Sequence, residues 1–201
     1  MELFFAYSGA IASVWIVAGI YIASLFYPGY NHKTQFCSEL GAFNSPTQRL
    51  SPVINNYPLG ALFIFFGIFV LSESQFTSAF VIGLMVIAHG LGTLVAGYFP
   101  MDSDPFTQNP SNSCKIHSLA GVVMLLSLLV APAFVVFENA YPSWLRIFSL
   151  ACIFGCSFFS YTLAKSFKNK SNLGVHQRLS YGFQILWLFV FSLFVASEVL
   201  S

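Results

Sequence analysis

TSAFVIGLMVIAHGLGTLVAGYF, residues 77–99, is the stretch that decides the fold. It contains no Asp, Glu, Lys or Arg, and a helix of that length rises about 35 Å, enough to cross a hydrocarbon core about 30 Å thick. Its polar residues do not alternate with apolar ones, as they would in a barrel strand of about 10 residues. Similar runs lie near residues 4–27, 53–72, 117–137, 144–164 and 175–199. The sequence therefore predicts an all-α protein: one integral membrane domain over residues 1–201, built as a six-helix transmembrane bundle. The first run has no basic segment before it and is too long for a signal-peptide core, so it is expected to remain as the first span.

Composition points the same way. Of 201 residues, 57% are hydrophobic and 7% charged, with a mean hydropathy of +0.75. A water-soluble domain carries roughly 25% charged residues. Eight basic and seven acidic residues leave a net charge of +1, and no Lys/Arg run suggests nucleic acid as a partner. Cys37 and Cys114 fall in loops while Cys152 and Cys156 sit within a span, which does not suggest a disulfide framework.

The loops alternate between long and short, and the charges follow them. Lys33 and Arg49 lie in the first loop, Lys115 in the third, and Lys165, Lys168, Lys170 and Arg178 in or beside the fifth. Only Arg146 falls on the other side. The positive-inside rule then makes loops 1–2 and 3–4 long cytoplasmic loops and places both termini outside the cytoplasm. A bacterial inner (plasma) membrane is the expected location. Tyr27, Tyr30, Tyr57, Tyr98, Tyr161 and Tyr181 near one face, with Tyr141 and Trp144 near the other, fit interfacial aromatic belts. Ser45-Pro46 reads as the start of a short interfacial helix. Asn55, Asn56 and Pro58 mean that the second span either starts late or lines a wet cavity with its polar end.

Chemistry is expected at the cytoplasmic end, where the ionisable residues gather. His117 opens the fourth span and His176 the sixth, where Ser180 and Gln184 follow on the face of His176 and descend about 12 Å into the bilayer. Such a polar stripe should face the bundle interior. Arg178 has the fork geometry to hold a carboxylate, with Glu39, Asp102 and Asp104 as candidates, or a phosphate. His89 lies near the midplane of the third span, where an ionisable side chain is costly without a partner. It should face inward, either as a packing hydrogen-bonder or as a proton carrier.

His32, His117 and His176 with Asp102 and Ser38 are donor types that suit zinc. Their set is loosely similar to membrane hydrolases of the ceramidase and adiponectin-receptor kind, but lacks the i, i+4 histidine pair, and no metal site is assigned. No GxGxxG, Walker A or GxSxG pattern occurs, and bis-histidine haem would need histidines at matched depths, so no cofactor is expected.

Four segments carry a family resemblance: Tyr27-Pro28-Gly29-Tyr30, Ser38-Glu39-Leu40-Gly41, Phe99-Pro100-Met101-Asp102 and His176-Gln177-Arg178-Leu179. Together, over residues 27–190, they resemble the domain of unknown function 998 family of prokaryotic multi-pass membrane proteins. The resemblance implies a helical bundle and matches Ser38, Glu39, Asp102, His117 and Arg178 to the family's polar positions. It transfers no activity.

The leading reading is a cytoplasm-facing polar pocket, formed by Ser38, Glu39, Asp102, His117, His176 and Arg178, that binds a polar or lipid headgroup, with processing of that headgroup left open. Membrane lipid and a small-molecule or lipid ligand are the expected partners. The alternatives are a proton-coupled transporter that uses His89, and a structural membrane subunit without a ligand. Oligomeric state leaves no mark in the sequence.

Overall fold

The structure, a computed structural model, describes residues 2–74 and 77–200. Six helices are long and apolar enough to cross a membrane. They are α1 (Glu2–Leu25), α2 (Tyr57–Ser72, entered through a π-helical turn at Pro52–Asn56), α3 (Thr77–Tyr98), α4 (Asn112–Phe137), α5 (Ser143–Asn169) and α6 (Leu173–Leu200). Each packs on its neighbours in sequence, and α6 closes the ring against α1. This is the fold of a multi-pass membrane protein.

Most boundaries lie within a turn of those read from the sequence, and two exceptions have physical causes. Helix α4 starts at Asn112 because Ser111 caps it, its hydroxyl accepting from the Cys114 amide at 3.1 Å. Helix α5 runs on to Asn169 because its lysine-bearing last turns keep helical geometry after the apolar run has ended. It stops where Lys170 turns left-handed at φ 51°.

The short-loop half of the bundle is solid. Trp187 stacks on Phe191 with ring centroids 5.0 Å apart, and its indole donates to Ser149 at 2.9 Å. Helices α2 and α3 touch backbone to backbone: a Cβ on Gly67 would lie 2.8 Å from the Gly83 carbonyl, and one on Gly83 would lie 2.9 Å from the Gly67 carbonyl. Ser192 joins α6 to α1, accepting from the Ala10 amide at 3.0 Å and donating to the Ala6 carbonyl at 2.6 Å. Small residues permit this approach, as membrane helix pairs require.

The second span begins in an unusual way. Pro58 has no N–H, so the Ile54 carbonyl four residues earlier has no helical donor there. The backbone widens into the π-helical turn at Pro52–Asn56, and the Trp15 indole of α1 donates to Ile54 O at 2.7 Å. The polar end of the span is thus part of the membrane helix, not a late start.

The first loop carries its short helix at Cys37–Gly41, a 3-10 turn, rather than at Ser45-Pro46. Glu39 fixes that turn, its carboxylate accepting from the Phe36 amide at 2.8 Å and from Gln35 at 3.0 Å. Ser45 instead donates back to the Leu40 carbonyl at 2.9 Å. The two long loops meet where the Phe43 amide donates to Met101 O at 2.8 Å.

Candidate functional site

A chamber of about 1280 Å³ occupies the long-loop half of the bundle around the first turns of α6. Its walls are largely apolar. It reaches the outer surface beside α1, where the lining residues Val14, Val17 and Tyr21 are exposed, and beside α4 and α5, where Gly121 and Ala164 are. Two exposed glycines of its lining, Gly121 and Gly182, have no atom near the place of a Cβ.

The basic residues and histidines of the lining collect at the loop end. Lys168, Arg178, His32 and His117 all line the chamber, and no Asp or Glu does so among the described residues. Arg178 is the organising group. Its Nη1 donates to the carbonyls of His32 (2.7 Å), Gln35 (2.9 Å) and Gly174 (3.0 Å), and its Nη2 to the Tyr30 hydroxyl at 2.7 Å. Nη2 also lies 3.3 Å from His32 Nδ1. Since guanidinium only donates, that ring nitrogen accepts, and the proton belongs on Nε2, which faces Ser24 Oγ at 3.1 Å. Desolvation, and then the Arg178 charge, hold the His32 pKa below its ordinary value. Burial pushes the Tyr30 phenol well up, so it keeps its proton and donates to Phe36 O at 2.8 Å.

The carboxylate expected on Arg178 is not there: among the described residues its hydrogen bonds go to three carbonyls, a phenol and an imidazole. The acids are engaged elsewhere. Glu39 braces its own 3-10 turn, and Asp102 accepts from the Ser111 amide at 2.8 Å at the start of α4. The Ser111 hydroxyl and amide hold the Asp102 carboxyl below the usual carboxylate range.

Of the pocket residues read from the sequence, Ser38, His117 and Arg178 line the chamber, as do Ser180 and Gln184 of the polar stripe. Glu39, Asp102 and His176 do not. The His176 ring Nδ1 is buried without a partner among the described residues. Nor do the histidines, cysteines and acids form a group of three that could hold a metal ion, again among the described residues. His117 donates from Nδ1 to the carbonyls of Ala96 (3.0 Å) and Phe99 (2.9 Å).

His89 is fully buried one layer behind the chamber wall. Its Nδ1 donates to Met124 O at 3.0 Å and its Nε2 faces the Tyr181 hydroxyl at 3.1 Å, with the two rings stacked. Gln184 donates to Leu125 O at 2.8 Å, and Ser180 meets Ser160 at 2.7 Å. The inward stripe of α6 thus ties α6 to α4 and α5, while Tyr181 and Met124 present their other sides to the chamber.

Sequence reading passed over Gln177 and Lys168. Gln177 accepts from the Cys37 amide at 2.7 Å and so seats the first loop on α6, next to the Val175 amide bond to Lys33 O at 3.1 Å. Its place beside Arg178 in the fourth quoted segment was the available signal. For Lys168 the signal was only its charge beside the fifth loop, because the extent of α5 was not legible.

No curated protein and no solved structure matches the chain. A family profile does match it over residues 10–193, so the chain belongs to the family described as protein of unknown function (DUF998).

Proposed function

We propose that the protein binds a membrane amphiphile with an anionic headgroup, its chain or chains in the apolar chamber and its headgroup at the loop end. The observation that carries this reading is the combination of apolar walls, openings at the outer surface, and a mouth bearing Arg178 and Lys168 without an acid. Ligand pockets commonly span 300–1,000 Å³, and a volume of about 1280 Å³ suits something longer than a polar metabolite. The starts of α4 and α6 lie at the same end and add positive partial charge there. Ser38, His117 and Arg178 keep the binding role suggested for them. Glu39 and Asp102 support it from outside the chamber, Glu39 by holding the 3-10 turn and Asp102 by holding the start of α4, and His176 takes no part in it. A proton-carrying His89 is less well supported, since both ring nitrogens are engaged and the ring does not line the chamber.

With seven of eight basic residues at the long-loop end, that end belongs in the cytoplasm of a bacterial inner membrane, with both termini outside. A C-terminal green fluorescent fusion should stay dark in intact cells, and bright fluorescence would reverse the orientation.

Binding is tested by native mass spectrometry of protein released from vesicles containing equal amounts of phosphatidylglycerol and phosphatidylcholine. The chain should retain phosphatidylglycerol, and the double substitution Gly121→Trp and Gly182→Trp, which fills the chamber, should abolish retention. Loss of both lipids from the native protein, or retention by the filled variant, would contradict the proposal.

A further inference from the structure

Asn55 is a buried polar residue of the chamber wall whose side-chain amide has no task among the described residues. It is 6% exposed, and it makes no side-chain hydrogen bond among the described residues. Its Oδ1 is turned against Gly19 of α1, into the space that a side chain at position 19 would occupy, and has no partner. The Nδ2 is the end left to the chamber, with two N–H donors and no acceptor. Such a group is costly in an apolar wall. Its neighbour Asn56 makes the contrast plain, since that amide donates to Thr93 O at 3.1 Å and joins α2 to α3.

The backbone that presents Asn55 is equally specific. It belongs to the π-helical turn at Pro52–Asn56, a geometry that recurs at functional sites. Its depth is fixed by Gly19, six residues from the loop end of α1 at Leu25, or about 9 Å along the axis. The headgroup zone on each side of a bilayer is roughly 5–8 Å thick. With the loop end of α1 taken as the outer edge of that zone, Asn55 falls just below headgroup level, where a glycerolipid carries the carbonyls that link its chains, while Arg178 and Lys168 line the same chamber.

We propose that Asn55 recognises the acyl linkage of the bound lipid, its Nδ2 donating to the ester carbonyl between headgroup and chain. This rests on the chamber being a lipid site, and it names the class: acyl lipids, with a carbonyl at the linkage, over alkyl ethers, which lack one. The unsatisfied donor finds its acceptor only when such a lipid is in place.

The test compares dioleoyl phosphatidylglycerol with its dialkyl ether of the same chain length, titrated into delipidated wild-type protein and read by native mass spectrometry. The ester should bind about tenfold more tightly, as one buried hydrogen bond allows. Asn55→Leu should erase the difference by weakening the ester alone. Should that variant fail to fold, Asn55→Ala, which removes the donor without adding bulk, is read in the same way. Equal binding of ester and ether to the wild type, or an ester preference that survives the substitution, would overturn the role of Asn55 while leaving the chamber as a lipid site. Binding of neither lipid would overturn the chamber reading itself.

Discussion

Gly67 and Gly121 are both interior residues of membrane helices, yet they inhabit different kinds of protein. A Cβ on Gly67 would meet the Gly83 carbonyl at 2.8 Å and the Ile87 amide at 2.9 Å, whereas one on Gly121 would meet nothing within 4 Å. The first stands for the short-loop half, where aromatic stacking and backbone contact leave no room. The second stands for the long-loop half, where α4, α5 and α6 line a chamber and the loops are tied across its mouth, although α2 and α3 stay in backbone contact there at Gly60 and Gly90. In a membrane the apolar effect does not separate these halves, because lipid tails are as apolar as leucine. What separates them is shape and polar pairing: the Trp187 stack and the Ser192 bonds between α6 and α1 close one half, and Pro58, the π-helical turn and the Arg178 network frame the other.

The sharpest way to break this comparison is to make one substitution in both places. Gly67→Val should cost about 3 kcal/mol or abolish folding, because the obstruction is backbone that cannot swing aside. Gly121→Val should change stability by less than about 0.5 kcal/mol. Thermal unfolding in one detergent would compare them, and equal losses would mean that the halves do not differ.

Arg178→Lys comes next. A lysine cannot reach three carbonyls and a phenol from one planar fork, so the docking of residues 30–36 should weaken by about 2 kcal/mol, with the bundle itself intact. Hydrogen exchange should rise in the first loop and remain unchanged in α2 and α3. Exchange spreading through every helix would show that the network supports the whole fold rather than the open half.

Trp15→Phe probes the border between the halves. It leaves the Ile54 carbonyl without its indole donor, at a cost of about 1 kcal/mol, and should raise exchange locally around the π-helical turn. The smallest expected effect is that of pH. Because the folded loop holds the His32 pKa below 6.5, the undocked loop takes up the proton first as pH falls. Docking is then at full strength above about pH 6.5 and weakens progressively below it, until the lowered folded value is passed. Exchange in residues 30–36 measured between pH 7.5 and 5 should rise on acidification and should lose that dependence in His32→Gln.

The sequence was most legible where one physical requirement dominates. Crossing a bilayer demands long apolar runs, and residues 77–99 announce theirs without any tertiary information. The inward stripe of Ser180 and Gln184 was legible for the same reason, as was the buried and bonded state of His89: lipid offers polar groups nothing. The site was less legible because its polar groups satisfy one another in ways that spacing does not encode. Charge alone suggests a carboxylate on Arg178, but loop carbonyls already turned inward offer acceptors without the desolvation of a second ion. Glu39 and Asp102 looked like pocket residues for their charge, and local hydrogen bonding to the backbone claimed them. The signal at Asn55, Asn56 and Pro58 was visible as an oddity. Which asparagine is bonded to a neighbouring helix and which is left unbonded depends on the π-helical turn, whose Ile54 carbonyl is met by Trp15, some forty residues away in sequence.

The most direct test of the lipid chamber is an experimental structure of the protein in nanodiscs of phosphatidylglycerol. Elongated density within the chamber, with its phosphate beside Arg178 and Lys168 and its chain leaving next to α1 or between α4 and α5, is the predicted result. A chamber closed by collapse of the first half of α6 onto α1, or filled only with water, would contradict it.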